Sequence, residues 1–287
     1  MSTGKVLREL ANARRATLVP GAFNALSAKV IADLGFDAIY VTGAGVTNMH
    51  IGLPDMGFMG LAEIAEQTGR IRDAVELPIL VDADTGFGNA VNTRHTVRTL
   101  ERAGANCIQL EDQLSPKRCG HFNGKAVISA DEMVGKIKAA VDARHSEDFL
   151  IMARTDARAI DGFDAAIERA QRYAEAGADI LFVEALERTD EVQRLPEYIH
   201  APLLMNMVIG GKTPIATTDE LAEYGYSMVL YANAALQSAV AGMQRALTVL
   251  RDERHLQEDP ALVIPFQERQ RLVGKTLIDE LEQRYKA

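Results

Sequence analysis

Cysteine is nearly absent from this sequence. Cys107 and Cys119 are the only two, too few for a disulfide framework, and free thiols in a reducing cytoplasm are expected. Long apolar runs are missing as well. Nothing approaches the about 18 residues that read as a membrane span, and residues 1–15 are polar and charged, unlike a secretory leader. Positive charge is in short supply, with 31 Lys and Arg against 40 Asp and Glu and a formal net charge of −9. That balance argues against a nucleic-acid partner, which demands a basic face. It leaves anionic substrates open, because a local cluster of arginine, lysine and metal outweighs the global field. No Ser/Pro-rich linker or shift in composition divides the 287 residues, so a single domain over 1–287 is expected.

What the sequence does contain is repetition. Short, nearly continuous apolar runs lie at 18–23, 38–43, 78–84, 107–112, 150–156, 180–184, 202–206 and 228–233. Continuous rather than alternating apolarity marks strands buried on both faces. Amphipathic stretches such as 89–103, 130–143 and 163–176 lie between them. Gly104 and Gly177 suit the left-handed position that ends a helix before the next strand. Eight strand–helix units at near-equal spacing predict an α/β fold, a (β/α)8 TIM barrel, in preference to an open doubly wound sheet. The stretch 250–287 exceeds what a closed barrel needs and predicts a charged loop and then an extra helix near 269–285. Cys107 begins a strand and belongs in the core, whereas His95 and His145 fall on outer helices and are expected at the surface.

In such a barrel the active site lies at the C-terminal ends of the strands. Those ends carry Thr42, Gly43 and Ala44, then Asp82 and Asp84, Glu111, Arg154, Glu184 and Asn206. A single polar residue there is an ordinary solvated end, but a series on one rim has no packing reason. Asp82 and Asp84 alternate along one strand and so share a face. Paired carboxylates repel unless a cation or proton lies between them, and hard oxygen ligands favour Mg²⁺ or Mn²⁺. Glu111, on the adjacent strand, can complete the shell through water. The bland alternative is a solvated strand end or a helix cap. Arg154 can hold a substrate carboxylate in a bidentate fork, or simply pair with Asp156 or Glu184. Asn206 can donate to a carboxylate or serve as a turn residue.

The loop after the fourth strand places Lys117, Arg118 and His121 around Cys119 and Gly120. Neighbouring positive charge is expected to lower the thiol pKa and favour thiolate. Such a cysteine exchanges a proton with a carbanion or acts as a nucleophile; the alternative is an inert loop cysteine.

At these motifs the chain resembles the isocitrate lyase/phosphoenolpyruvate mutase superfamily. The match is carried by "VTGAG" at 41–45, "GLPDMG" at 52–57, "VDADTGFGN" at 81–89, "QLEDQ" at 109–113, "KRCGH" at 117–121, "IMARTDA" at 151–157 and "AIERAQRYAEAGAD" at 166–179. The resemblance implies a homotetramer of barrels that exchange a C-terminal helix, and a divalent metal, Mg²⁺ with Mn²⁺ as the alternative. It implies Asp82 and Asp84 as metal ligands, with Glu111 in the outer shell. Thr42, Gly43 and Ala44 would bind the 2-oxo-acid end of the substrate, and Arg154 a carboxylate. Asp55 would sit on a mobile gate. Lys117 to His121, with Gly120, would form a closing lid in which Cys119 is the catalytic acid. Glu184, Asn206 and Arg269 match further substrate-binding positions. Tyr40, also placed against substrate, is one candidate base beside Glu184 and a water on the metal.

"KRCGH" divides the superfamily, since lyases carry the cysteine and phosphoenolpyruvate mutases and phosphonopyruvate hydrolases generally lack it. The chain therefore looks like a carbon–carbon lyase, similar to methylisocitrate lyases and to the alkylmalate lyase and oxaloacetate hydrolase group. Its substrate would be a small 2-hydroxy di- or tricarboxylate. Three departures stand out: Gln237 replaces an arginine of the methylisocitrate lyases, the lid continues Phe122-Asn123-Gly124-Lys125, and Ile209 stands where relatives often carry glutamate. The first two favour a dicarboxylate. Oxaloacetate hydrolysis or decarboxylation, phosphonate rearrangement, and a non-enzymatic dicarboxylate-binding barrel are the rival readings.

Overall fold

The computed structural model describes residues 1–122 and 124–286. Asn123 of the lid and Ala287 of the C-terminal extension lie outside the described residues. Eight strands, β1 (Thr17–Ala22), β2 (Ile39–Val41), β3 (Ile79–Asp82), β4 (Cys107–Glu111), β5 (Leu150–Thr155), β6 (Ile180–Val183), β7 (Leu203–Asn206) and β8 (Met228–Tyr231), form a closed barrel in sequence order. All eight pairings are parallel, and β8 closes on β1 through Leu18 opposite Val229. Each predicted apolar run holds one strand, so the expected TIM barrel is what the chain forms.

The helices are α1 (Thr3–Asn12), α2 (Ala25–Asp33), α3 (Gly43–Ile51), α4 (Leu61–Ala74), α5 (Ala90–Arg102), α6 (Ala130–Ala143), α7 (Arg158–Asp161), α8 (Phe163–Glu175), α9 (Thr189–Tyr198), α10 (Thr218–Tyr224), α11 (Ala234–Glu253), α12 (Phe266–Leu272) and α13 (Lys275–Arg284). Their ends follow from local chemistry. Asn89 accepts from the N–H groups of Val91 and Asn92 to start α5, and Ser129 accepts from Glu132 to start α6. Gly104 and Gly177 take the left-handed conformation, φ +97° and +105°, that turns α5 and α8 into the following strands.

Strand residues alternate between two apolar layers. Outward-facing Ile39, Val41, Ile79, Val81 and Ile108 pack beneath the helices. Inward-facing Val19, Tyr40, Leu80, Met152, Phe182 and Leu230 fill the barrel. Each such side chain contributes about 1.5–3 kcal/mol by leaving water. Two features differ from the sequence reading. Residues 3–12 form α1, whose Leu7 and Ala11 join the inner layer and plug the barrel floor; their short apolar pattern is hidden among charges. At the other end α11 runs on to Glu253, past the expected loop start, and the single expected tail helix is two, broken at Gly274 (φ +75°).

Val240, Met243, Leu247 and Leu250 of α11 and Leu277 and Ile278 of α13 stay exposed. Among the described residues no helix is long and apolar enough to cross a membrane.

Candidate active site

The same alternation that fills the barrel builds its mouth. Two residues beyond inward-facing Tyr40, Leu80, Met152, Phe182, Leu204 and Leu230 come Thr42, Asp82, Arg154, Glu184, Asn206 and Ala232, and two beyond Gln109 comes Glu111. The apolar core therefore passes into a ring of polar side chains around a small cavity of about 50 Å³. Tyr40, Thr42, Ala44, Asp55 and Asp82 line one side; Arg154, Glu184 and Asn206 line another, and Cys119, Gly120 and His121 cover it.

Arg154 is the electrostatic centre. Its side chain is 9 % exposed and forks onto Asp156, with Nε 2.9 Å from Oδ2 and Nη2 3.1 Å from Oδ1. Nη1 faces Glu184 Oε2 at 3.2 Å and Glu111 Oε2 at 3.5 Å, and the guanidinium lies 5.1 Å over the Phe182 ring. Burial opposes its charge, but Asp156, Glu111 and Glu184 outweigh burial and raise its pKa further. Glu184 balances the same forces. Burial pushes its carboxyl up, yet Arg154 and then His121 pull it down to about 2, while Asn206 Nδ2 and the Ala185 N–H donate to it. Ala185 (φ +57°) and Asp84 (φ +46°) hold left-handed backbone at the rim, a strain of about 1–3 kcal/mol each that the surrounding packing sustains.

Across the mouth, α3 begins at the cavity. Thr42 is its N-cap, accepting from the Gly45 N–H at 3.2 Å. The Gly43 N–H points to Asp82 Oδ2 at 3.4 Å, and the first turn offers a positive dipole end to an anion. Lys117 Nζ lies 2.5 Å from Asp55 and 2.7 Å from Asp84, so the loop at 52–57, the end of β3 and the Cys119 loop meet on one ammonium.

The carboxylates here are short of positive charge. Burial pushes Asp84 up to about 7 despite Lys117, and pushes Glu111 well up despite Arg154. Glu111 Oε1 is buried without a hydrogen bond, and Asp84 Oδ1 meets only Lys117. Among the described residues no three His, Cys, Asp or Glu side chains form a ready metal cage. Mg²⁺ needs none: it commonly takes one or two carboxylates and keeps several waters. The donor set of Asp82, Asp84 and Glu111, all oxygen and with Glu111 Oε1 unpartnered, fits such an ion.

Over this mouth lies the loop of Cys119. The expected depression of its thiol is not found. Burial is the largest influence and, with Asp55 and Glu184 adding to it, raises the pKa above the usual cysteine value. The basic neighbours are spent elsewhere: Lys117 on Asp55 and Asp84, His121 Nε2 at 3.1 Å from Glu184, and Arg118 facing solvent. Cys119 is thus a protonated thiol, equipped to donate rather than attack. Tyr40 is similarly unsuited as a base, since burial and Asp82 raise its pKa well above normal and its hydroxyl donates to Gln109 at 2.5 Å.

Arg269 is not brought to this mouth. It sits in α12, its guanidinium 5.1 Å over Phe266, beside a groove between α11 and the tail. Within one chain the fold separates it from the barrel opening, because α11 carries the tail away. Cys107 is fully buried and His95 and His145 are exposed, as expected. Gln237 Nε2 lies 3.5 Å from the Ile209 carbonyl, so two of the sequence departures meet outside the cavity lining. Four residues were missed: Gln109, which links Tyr40 to Asp82; Phe182; Asn233, on the cavity wall beside Thr42; and Lys125, which pairs with Asp156. Gln109 carried a signal, a polar residue inside an apolar strand, and so did Asn233, the polar end of the eighth apolar run.

The closed parallel barrel with an arginine–carboxylate cluster at its mouth defines a (β/α)8-barrel protein with a candidate active site at the C-terminal ends of its strands. More particularly, the chain belongs to the phosphoenolpyruvate phosphomutase family, whose profile matches residues 7–251. It is 45% identical over 285 residues to 2,3-dimethylmalate lyase of Eubacterium barkeri, covering 99% of each chain. It is 48% identical over 258 residues to 2-methylisocitrate lyase of Aeropyrum pernix, covering 89% of this chain and 82% of that one. Among solved structures it is similar to an oxaloacetate acetylhydrolase in complex with 3,3-difluorooxalacetate, with a TM-score of 0.93, 32% identity and coverage of 98% and 96%.

Proposed function

We propose that this lyase cleaves a 2-alkylmalate-type dicarboxylate to a 2-oxo acid and a second carboxylate, with 2,3-dimethylmalate giving pyruvate and propionate as the reference case. The observation that carries this reading is the placement of Cys119 over the cavity that Arg154, Glu184 and Asn206 line; burial, which raises its pKa, favours the protonated thiol. Acid catalysis at carbon needs such a donor.

The N-terminal turn of α3, at Gly43 and Ala44, receives the 2-oxo-acid end, where negative charge is favoured. Arg154 holds the distal carboxylate. The hydroxyl gives up its proton to water, and its oxygen becomes the carbonyl of the 2-oxo acid as the bond to the neighbouring carbon breaks. The electron pair of that bond passes to the departing carboxylate fragment as an enolate. Cys119 delivers the proton that quenches it, and the thiolate regains a proton from solvent when the loop opens. Asp55, Lys117 and His121 keep the loop shut and exclude water while that anion exists. Neither Tyr40, held protonated, nor Glu184, with a carboxyl near 2, makes a strong base. Asp82 and Asp84, with Glu111 behind them, would hold Mg²⁺, or Mn²⁺ in its place, and the ion supplies charge stabilisation for the developing oxyanion.

The exposed apolar stripes of α11 and α13 support a homotetramer with exchanged tails, which would carry Arg269 toward a neighbouring mouth. Two free cysteines support a cytoplasmic setting.

A product assay with Mg²⁺ tests the proposal. 2,3-Dimethylmalate, 2-ethylmalate, 2-methylisocitrate, oxaloacetate and phosphonopyruvate are offered in parallel. A 2-oxo acid released from 2,3-dimethylmalate or 2-ethylmalate supports it, and turnover confined to 2-methylisocitrate overturns it in favour of a tricarboxylate lyase. Turnover confined to oxaloacetate, giving oxalate and acetate, or to phosphonopyruvate, overturns it in favour of the hydrolase or mutase reading.

A further inference from the structure

Lys125 is a buried cation to which the reaction above assigns nothing. Its side chain is 2 % exposed, and the Asp156 side chain it faces is fully buried. Burying an ammonium costs several kcal/mol unless its partners are well placed. Lys125 has two such partners: Nζ stands 2.7 Å from Asp156 Oδ1 and also donates to the carbonyl of Gly120.

Asp156 spends the same oxygen twice. Oδ1 accepts from Lys125 and from Arg154 Nη2, and Oδ2 accepts from Arg154 Nε. Its position is otherwise set from behind. The Asp156 N–H donates to Asp112 Oδ1 at 2.9 Å, and Asp112 is held by Thr155, Arg169 and Tyr173. Of the two cations on Asp156, Arg154 belongs to a barrel strand. Lys125 belongs to the segment that carries Cys119.

We propose that Lys125 is a positioning residue that fastens the Cys119–Gly120–His121 loop to the Arg154–Asp156 pair, bringing the proton donor and the carboxylate clamp into register in a single closing event. The ammonium crosses from loop to barrel and ties to a backbone atom next to the thiol. Lifting the loop withdraws it from Asp156 and leaves that carboxylate with Arg154 alone. Lys117 and His121 do not duplicate this tie, because they bind Asp55, Asp84 and Glu184. The role assigned to Arg154 rests on the functional reading above; the mechanical tie does not.

A merely structural ion pair would change stability without changing the reactivity of Cys119. Lys125→Met is therefore compared with Lys125→Arg. Iodoacetamide labelling of Cys119 is followed by mass spectrometry, with buried Cys107 as internal control. Lys125→Met is expected to speed labelling of Cys119 about tenfold through local opening without altering its pH dependence. It is expected to lower kcat about 30-fold through misplacement of the donor, with KM changed far less, and Lys125→Arg restores part of both. Unchanged labelling in a folded Lys125→Met protein overturns the proposal. Should that variant not fold, the wild-type enzyme decides. In subdenaturing urea, reductive methylation of Lys125 and alkylation of Cys119 rise together if the tie exists, and independent onset overturns it. Both labelling readouts need no substrate, so failure to turn over any hydroxy acid counts against the proposed function and leaves this test standing.

Discussion

Gly120 packs against Glu184 so closely that a β-carbon placed on it would stand 2.5 Å from Glu184 Cγ, and it would also overlap the Arg154 guanidinium. Glu184 cannot yield easily, because Arg154, Asn206 and the Ala185 N–H all hold it. Gly120→Ala is therefore expected to keep the barrel intact but prevent the loop from seating. Turnover should fall about 100-fold through misalignment of the donor, while the thermal melt moves little. Equal kcat in the variant would contradict the closed geometry.

Cys119 is held above the ordinary cysteine value by burial. Its iodoacetamide labelling should be slow at neutral pH and still climbing past the unperturbed value of 9.0. A plateau below pH 8 would mean the thiolate is stabilised after all. Cys119→Ser should lower turnover by about 10²–10⁴, the usual weight of a positioned acid, without lowering substrate binding to match.

Glu184 has a folded-state pKa near 2, below the unperturbed 4.5. A depressed carboxylate adds stability that is present above the unfolded value and lost as pH falls through the folded one. Wild type should thus melt higher than Glu184→Gln at pH 6, and the gap should narrow between pH 4.5 and 2. Thermal melts across that range check the sign. A gap that widens on acidification would show that Glu184 is not charged in the fold.

Asp82, Asp84 and Glu111 fit a divalent ion. Mg²⁺ is expected to raise the melting temperature of the wild type, since a ligand bound only by the native state stabilises it. Asp84→Asn should abolish that rise. EDTA should remove activity and added Mg²⁺ restore it. An identical Mg²⁺ response in Asp84→Asn would place the ion elsewhere.

The exposed stripe on α11 is expected to be covered by another subunit. Leu247→Glu, which puts a charge on that stripe, should shift the assembly to smaller species by light scattering and reduce turnover with it. An unchanged mass would leave the stripe without a partner.

Much of this was legible along the chain. Strand runs were visible because both faces of a barrel strand are buried, so apolarity is continuous and ends abruptly at the rim. Asp82, Glu111, Arg154 and Glu184 stood out because they break those runs at their C-terminal ends. The charge state of Cys119 was not legible. Two of its basic neighbours in sequence, Lys117 and His121, are captured by Asp55, Asp84 and Glu184, which lie between 33 and 63 positions from them in the chain. Lys125 was hidden for the same reason, its partner Asp156 lying 31 positions on.

Sequence by itself determined the barrel, the rim residues and the loop over them, because periodicity and apolar runs are properties of near neighbours in the chain. Only the tertiary structure decided that burial raises the Cys119 pKa, that Arg269 lies off its own chain's mouth, and that Lys125 reaches both Asp156 and the Gly120 carbonyl. Those outcomes depend on burial and on which distant charges meet, and neither is written in local order.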